Sequence, residues 1–201
     1  MRGMKLILAS GSPRRRELLG QMGLGEFTVI SPDIDESGWK DLPAGQQVRM
    51  LSASKAAAVA SGQDGAMVIA ADTVVVLDGI VLGKPRDRAD AVRMLTALSG
   101  RRHEVYTGVT VTKDNVTLTE HEITKVTFRT LSREEISHYV DTGEPMDKAG
   151  GYGIQKFGAL LVEGIEGDYF NVMGLPVCRL GRMLAEFGID CLALAEKEAQ
   201  V

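Results

Sequence analysis

Glu104-Val-Tyr-Thr-Gly-Val-Thr-Val-Thr112 and Val116-Thr-Leu-Thr-Glu-His-Glu-Ile-Thr-Lys-Val-Thr-Phe128, separated by Lys113-Asp114-Asn115, largely alternate apolar and polar side chains. Alternation of this kind marks half-buried strands, whose side chains point to opposite faces in turn. The two runs read as one long hairpin, so any sheet that contains them cannot be purely parallel. On both sides of the hairpin, strand and helix patterns interleave. Lys5–Ser10 reads as a buried strand. Ser12 then supplies an N-cap oxygen and Pro13 a preset φ, opening a helix with Leu18, Leu19 and Met22 inward that ends near Gly23. Phe27–Ile30 is a short strand, and Pro43 to Ser61 is a helix with Val48, Leu51 and Val59 inward. Met67–Ala71 and Val74–Leu77 lead through Asp78-Gly79, a strong hairpin turn, to Ile80–Leu82. Asp87 caps a helix through Leu98, and Ser132-x-x-Glu135 is a capping box for a helix to about Thr142. Ala159–Glu163 reads as a strand, and Pro176 starts a final helix carrying Val177, Leu180, Leu184 and Phe187. The expectation is an α/β fold: a mixed, twisted sheet with flanking helices in two lobes, with a break near residues 100–145.

Composition agrees with a globular chain. Of 201 residues, 44% are hydrophobic and 25% charged, too apolar for disorder. The 23 basic against 27 acidic residues leave a net charge of −4, the wrong sign for coating nucleic acid or an anionic membrane. No apolar run approaches the roughly 18 residues of a spanning helix, and Leu6–Ala9 is too short for a signal segment. Cys178 and Cys191 have no metal or redox spacing, and the three histidines are scattered. A cytoplasmic protein with no membrane and no nucleic-acid polymer as partner is expected.

Two common nucleotide motifs and one hydrolase motif fail. Gly79 to Lys84 lacks one spacer of a P-loop, and Pro85 stands where Ser or Thr should hold the metal. Gly151-x-Gly153 has no third glycine of a dinucleotide fingerprint, and there is no G-x-S-x-G.

Other stretches carry chemistry. Ser10-Gly-Ser-Pro-Arg14-Arg15-Arg16 follows a strand and opens a helix, where free N–H groups and the positive dipole end attract anions. Three arginines in that first turn oppose the dipole, each at several tenths of a kcal/mol. The arrangement makes sense where a polyanion binds, since guanidinium forks match phosphate oxygens; the plain alternative is a solvated cluster. Asp72 lies inside the otherwise apolar Met67–Leu77, where a carboxylate is costly unless paired, hydrogen-bonded or metal-bound. The alternative there is a structural Asp bonding turn amides. Asp33-Ile34-Asp35-Glu36 follows a short strand, and alternation lets only part of it address one site; solvation is its ordinary fate. Hard oxygen ligands beside arginines suggest Mg²⁺ or Mn²⁺ bridging carboxylates and phosphates, with Lys55 and Lys84 as further cations. Taken singly, each lysine reads as a solvated charge. Gly150-Gly-Tyr-Gly-Ile-Gln155 is either a loop that lies against a planar ligand, with the Gln155 amide facing a base edge, or a flexible turn.

In order along the chain, Ser10-Gly-Ser-Pro-Arg-Arg-Arg-Glu-Leu-Leu, Asp35-Glu36-Ser37, Ser54-Lys55-Ala56, Ala71-Asp72-Thr73, Gly83-Lys84-Pro85 and Gly151-Tyr-Gly-Ile-Gln155 resemble the Maf family of nucleoside triphosphate pyrophosphatases. The resemblance spans residues 5 to about 185. It implies one domain over 1–201 with a fold like that of inosine triphosphate pyrophosphatases, its two lobes flanking a cleft, and commonly a cytoplasmic homodimer. It also implies hydrolysis of a nucleoside triphosphate to the monophosphate and pyrophosphate with a divalent cation. The Gly-Tyr-Gly-Ile-Gln form resembles the branch acting on dTTP and UTP rather than that associated with 7-methyl-GTP. By the same resemblance, Asp72 is the proton acceptor, and Glu36, Lys55 and Lys84 are the other catalytic residues. Glu36 and Asp72 hold the metal. Ser10, Arg14, Arg15, Thr73 and Gln155 bind the substrate, with Arg14, Thr73 and Gln155 at positions tied to substrate choice. Lys156 stands where glycine is expected, and its bulk narrows the base pocket or contacts substrate. Two other classes remain open: a non-catalytic nucleotide-binding regulator of cell division, and a phosphohydrolase that cleaves the γ-phosphate.

Overall fold

The computed structural model describes residues 5–199. Its sheet has seven strands: β1 (Leu6–Ala9), β2 (Thr28–Val29), β3 (Met67–Leu77), β4 (Ile80–Leu82), β5 (Arg102–Lys113), β6 (Val116–Phe128) and β7 (Val162–Glu166). Their order is β2-β1-β3-β5-β6-β7, with β4 on β3. β1 runs parallel to β2 and β3, whereas β3/β4 and β6/β7 are antiparallel, so the sheet is mixed. The helices are α1 (Pro13–Gly20), α2 (Ala44–Ala60), α3 (Arg88–Leu98), α4 (Arg133–Asp141), α5 (Tyr169–Met173), α6 (Val177–Glu186) and α7 (Cys191–Ala199). No described helix is long and apolar enough to cross a membrane.

By packing, the chain forms two compact units. The first comprises Met1–Asp72, Thr107–Glu122 and Gly174–Val201, and the second Thr73–Tyr106 and Ile123–Met173. In the first, Ile7, Ala9, Val68 and Ala70 from adjacent strands pack with Ala56 and Val59 of α2. The close approach of α2 depends on Gly108: a Cβ there would stand 2.2 Å from the Val48 carbonyl oxygen. Beside it the Ser52 hydroxyl meets Thr110 Oγ1 at 2.9 Å, and Thr110 meets Thr119 Oγ1 at 3.0 Å. A missing side chain and a chain of hydroxyls thus seat α2 on β5 and β6.

In the second unit, Val75, Leu95, Leu98, Val126, Phe128 and Ile136 belong to one core. That core also holds a polar pair. His103 is only 2% exposed, and its Nε2 lies 2.7 Å from the Tyr152 hydroxyl. Edge-on contacts of the Phe128 ring with both rings, centroids 5.1 and 4.7 Å apart, close the cluster. His103 Nδ1 has no hydrogen-bond partner, and burial lowers the imidazole pKa to about 4.

Most elements follow local chemistry. Asp78 and Gly79 take φ of +52° and +78°, the paired positive values of a two-residue hairpin turn. Asp87 accepts from the Asp90 amide, and Ser132 and Glu135 form the full capping box. Six expectations need correction. Ser12 is the N-cap of α1 but its side chain makes no capping bond. α1 ends at Gly20, short of Gly23, because the turn that follows leaves Met22 outside the helix. The two runs around Asp72 are one continuous strand, β3. Residues expected as the strand Ala159–Glu163 form a 3₁₀ segment, Lys156–Leu161, with β7 starting only at Val162. There the Glu144 carboxylate accepts from the Phe157 and Gly158 amides and draws the chain into a turn. α6 is not the last helix, since α7 follows it, capped by Asp190 on the Leu192 and Ala193 amides. α5 is likewise additional, and Asp168 caps its Phe170 amide.

His103 gives a pH prediction. Its unfolded-state pKa is near 6.5 and its folded value lies lower, so the fold favours the neutral ring. The associated stability is complete above pH 6.5 and falls by about 3 kcal/mol as pH drops to 4. Urea midpoints between pH 7 and 4 are expected to fall less steeply in His103→Phe than in the parent; equal slopes would remove His103 as the cause.

Candidate active site

β1 and β3 are parallel with Ala9 opposite Ala70, so both strands deliver the chain to the same end of the sheet. In parallel sheets that carboxyl end is where sites form. Beyond β1 come Ser10 and the start of α1. On β3, Asp72 and Thr73 are the only two of eleven residues that are not buried.

Asp72 is paired. Its Oδ1 lies 2.5 Å from Lys55 Nζ, and the same ammonium reaches Glu36 Oε1 at 2.8 Å. The Lys55 and Asp72 side chains are 15% and 13% exposed, whereas Glu36 is half-exposed. Lys55 stands one helical turn after Ser52, so the hydroxyl chain that seats α2 also fixes where this ammonium emerges. Glu36 gets its place from its neighbour. Asp35 Oδ1 accepts from the Ser37 amide at 2.8 Å and closes the 3₁₀ turn Ser37–Trp39, leaving Glu36 at its start to reach Lys55. Only one of the two acids joins the cluster, and this turn rather than strand alternation is the reason, since Glu36 takes a helical φ of −89° and ψ of −1°.

The arginines of α1 part company. Arg15 is half-buried; its Nε donates to the Gly174 carbonyl at 2.7 Å and its Nη1 to Ser10 Oγ at 3.2 Å. Burial lowers its guanidinium pKa, the Asp72 carboxylate pulls it back up, the Arg14 charge lowers it and Glu36 raises it. Arg15 therefore sits within the field of both carboxylates, with Arg14 beside it. Arg16 instead is exposed and lines a cavity of ≈ 840 Å³ with Ser12, Glu17, Glu26 and Phe27. No acidic side chain and no side-chain cap occupies the first turn of α1. Ser10 is 6% exposed, its oxygen accepting from Arg15 and, at 3.3 Å, from the Ser12 amide.

The first unit thus gathers Ser10, Arg15, Glu36, Lys55 and Asp72. The donor set suits a divalent cation: two carboxylates already share one cationic partner, and Mg²⁺ or Mn²⁺ binds one or two carboxylates while phosphates and water complete its shell. Among the described residues no three His, Cys, Asp or Glu side chains form a group that could hold a metal ion.

The second unit joins two other stretches. The Gly150 amide donates to the Gly83 carbonyl at 2.9 Å, and a Cβ on Gly151 would lie 3.3 Å from Pro85. Lys84, between Gly83 and Pro85, is exposed; Gln155, past the glycines, is half-buried. Thr73 follows Asp72 on β3. Tyr152 faces the core beside Phe128 and His103, so the ring within the glycine loop is structural. Lys156 has φ +51°, a left-handed conformation that costs a side chain about 1–2 kcal/mol and explains why glycine suits this position.

The functional group least visible in the sequence is the Gly174 carbonyl, since a main-chain acceptor has no side-chain signature. The only signal was Gly174-Leu-Pro176 before α6.

The Maf-like protein family model matches residues 5–187. A dTTP/UTP pyrophosphatase of Moorella thermoacetica is 56% identical over 191 residues, covering 92% of this chain and 96% of that protein. Proteins of the same name from Acetivibrio thermocellus and Symbiobacterium thermophilum are 53% and 54% identical, covering 94% and 92% of this chain and 98% and 94% of their own lengths. With the family matched across nearly its whole length, the chain belongs to the Maf family.

Proposed function

We propose that this chain is a nucleoside triphosphate pyrophosphatase that hydrolyses dTTP and UTP to the nucleoside monophosphate and pyrophosphate. The observation that carries the reading is the Lys55 ammonium between Glu36 and Asp72, with Arg15 in their field at the carboxyl ends of β1 and β3. Relatives more than half identical across nearly the full chain bear that activity in their names.

Arg14 and Arg15 hold the triphosphate at the opening of α1, where the positive end of the helix dipole adds to their charge. Asp72 takes the proton of a water whose oxygen bonds to the α-phosphorus. The bond from that phosphorus to the α–β bridging oxygen breaks, and pyrophosphate leaves with the electron pair. Lys55 keeps the two carboxylates in place and offsets their mutual repulsion. Glu36 and Asp72 hold a divalent cation (Mg²⁺ or Mn²⁺), which supplies charge neutralisation at the phosphate oxygens. Most of this catalysis is positioning and electrostatics, as phosphoryl-type transition states require little covalent help. Lys84 joins Arg14 and Arg15 on the polyphosphate, and the family resemblance assigns Arg14, Thr73 and Gln155 to substrate choice. It also carries a cytoplasmic homodimer as the working form.

Three outcomes test the reading. Purified protein with Mg²⁺ or Mn²⁺ and a panel of nucleoside triphosphates should release pyrophosphate, fastest from dTTP and UTP. Orthophosphate instead would mean γ-phosphate cleavage, and saturable binding without turnover a regulator. Asp72→Asn should lower turnover by about 100- to 10,000-fold with the thermal midpoint recorded alongside, the range a positioned base contributes; a near-parental rate would exclude Asp72 as the proton acceptor. Light scattering should return the mass of two chains, and the mass of one chain would exclude the dimer.

A further inference from the structure

Arg15 is gripped from behind. Its Nε donates to the Gly174 carbonyl at 2.7 Å and its Nη1 to Ser10 Oγ at 3.2 Å, so two different nitrogens of one planar group are fixed. Both acceptors are themselves immobilised. Ser10 is 6% exposed, ends the run of buried residues that begins in β1, and accepts the Ser12 amide at the opening of α1. Gly174 holds φ +112°, a conformation that side chains rarely adopt, and it precedes Leu175, which is 0% exposed. A buried residue therefore anchors the peptide whose carbonyl faces Arg15. Arg14 and the positive helix end repel this long, flexible cation while Asp72 and Glu36 attract it, and the two acceptors decide which way its donors point.

We propose that Ser10 and the Gly174 carbonyl form a clamp that presets the Arg15 guanidinium for a polyphosphate, which makes Ser10 a positioning residue that acts through Arg15 rather than a ligand of the substrate. The proposal rests on the polyphosphate reading of this site, and it assigns the segment before α6 a part in that site. A preset fork binds phosphate more tightly than a mobile one because its ordering is complete before the ligand arrives. Loss of either acceptor should weaken the anion without removing any atom that touches it.

The test is a double-mutant cycle read by calorimetric binding of inorganic tripolyphosphate to the full chain in Mg²⁺. Ser10→Ala should weaken binding about 10-fold, the typical effect of one hydrogen bond to a charged group. Ser10→Thr, which keeps the hydroxyl, should restore it to within about threefold. In an Arg15→Ala background, Ser10→Ala should change the affinity less than twofold, because the group it positions is gone. An equal loss in both backgrounds would mean that Ser10 touches the polyanion itself, and would overturn the proposal. Unchanged binding in Ser10→Ala, or no binding by the parent, would overturn it too. Thermal melts accompany each variant; if Ser10→Ala does not fold, Ser10→Cys, a far weaker acceptor, replaces it in the same cycle. Coupling in this cycle without pyrophosphate release from any nucleotide would leave the clamp standing and sink the enzymatic reading alone, so the two failures are distinguishable.

Discussion

Two carboxylates on one small patch of protein repel each other, and every ångström withdrawn from water raises the cost. Glu36 and Asp72 coexist because the Lys55 ammonium lies against both, at 2.8 and 2.5 Å. That contact has structural prerequisites well away from it. α2 has to approach the sheet closely enough for a lysine stem to span the gap, which Gly108 permits. It has to keep its rotation about its own axis, which the Ser52–Thr110 hydroxyl contact fixes. The loop before the Ser37–Trp39 turn has to present Glu36 rather than Asp35, which the Asp35 bond to the Ser37 amide decides. A partly buried ionic cluster of this kind is worth little as a stabiliser in its own right, yet removing Lys55 strands the Asp72 carboxylate. Its benefit lies in holding charged groups in register before any ligand is present.

The two units spend their polar groups differently. In the first, Arg15, Lys55 and Asp72 gather at the carboxyl ends of β1 and β3, each with a partner of opposite charge or a fixed acceptor. In the second, His103 and Tyr152 face one another inside an apolar core and are kept uncharged by burial. Gly151-Tyr152-Gly153 shows the division within three residues: the tyrosine ring is committed to packing, while Gly151 keeps the backbone bare against Pro85 and Gly153 against the Lys148 side chain.

Much of this was legible in the chain. Asp78-Gly79 and Ser132-x-x-Glu135 specify their own geometry through bonds no more than a few residues long, and both form as read. Asp72 stood out because a lone carboxylate in a run of apolar strand residues requires a partner, although the strand could not say which lysine that would be. The arginine turn announced a charge problem at a helix start; which arginine faces the carboxylates depended on the rotation of α1. Features set by distant groups were not legible. The 3₁₀ segment Lys156–Leu161 follows from Glu144 reaching two amides more than ten residues away. α5 and α7 are short, and their Asp168 and Asp190 caps are weak signals without a long apolar face to confirm them.

The bond between Arg15 and Gly174 spans 159 residues of chain. Since the first unit takes its pieces from Met1–Asp72, Thr107–Glu122 and Gly174–Val201, a growing chain emerging from the ribosome carries the arginine turn long before its acceptor exists. The segments of the second unit, by contrast, are all synthesised by Met173. Vectorial synthesis therefore imposes an order of assembly: the histidine–tyrosine core can consolidate first, and the charged cluster acquires its final shape only once Gly174 has been made. Such topology, rich in contacts between remote segments, belongs to slow folders, and it ties the arrival of a competent anion site to the synthesis of the segment that begins at Gly174.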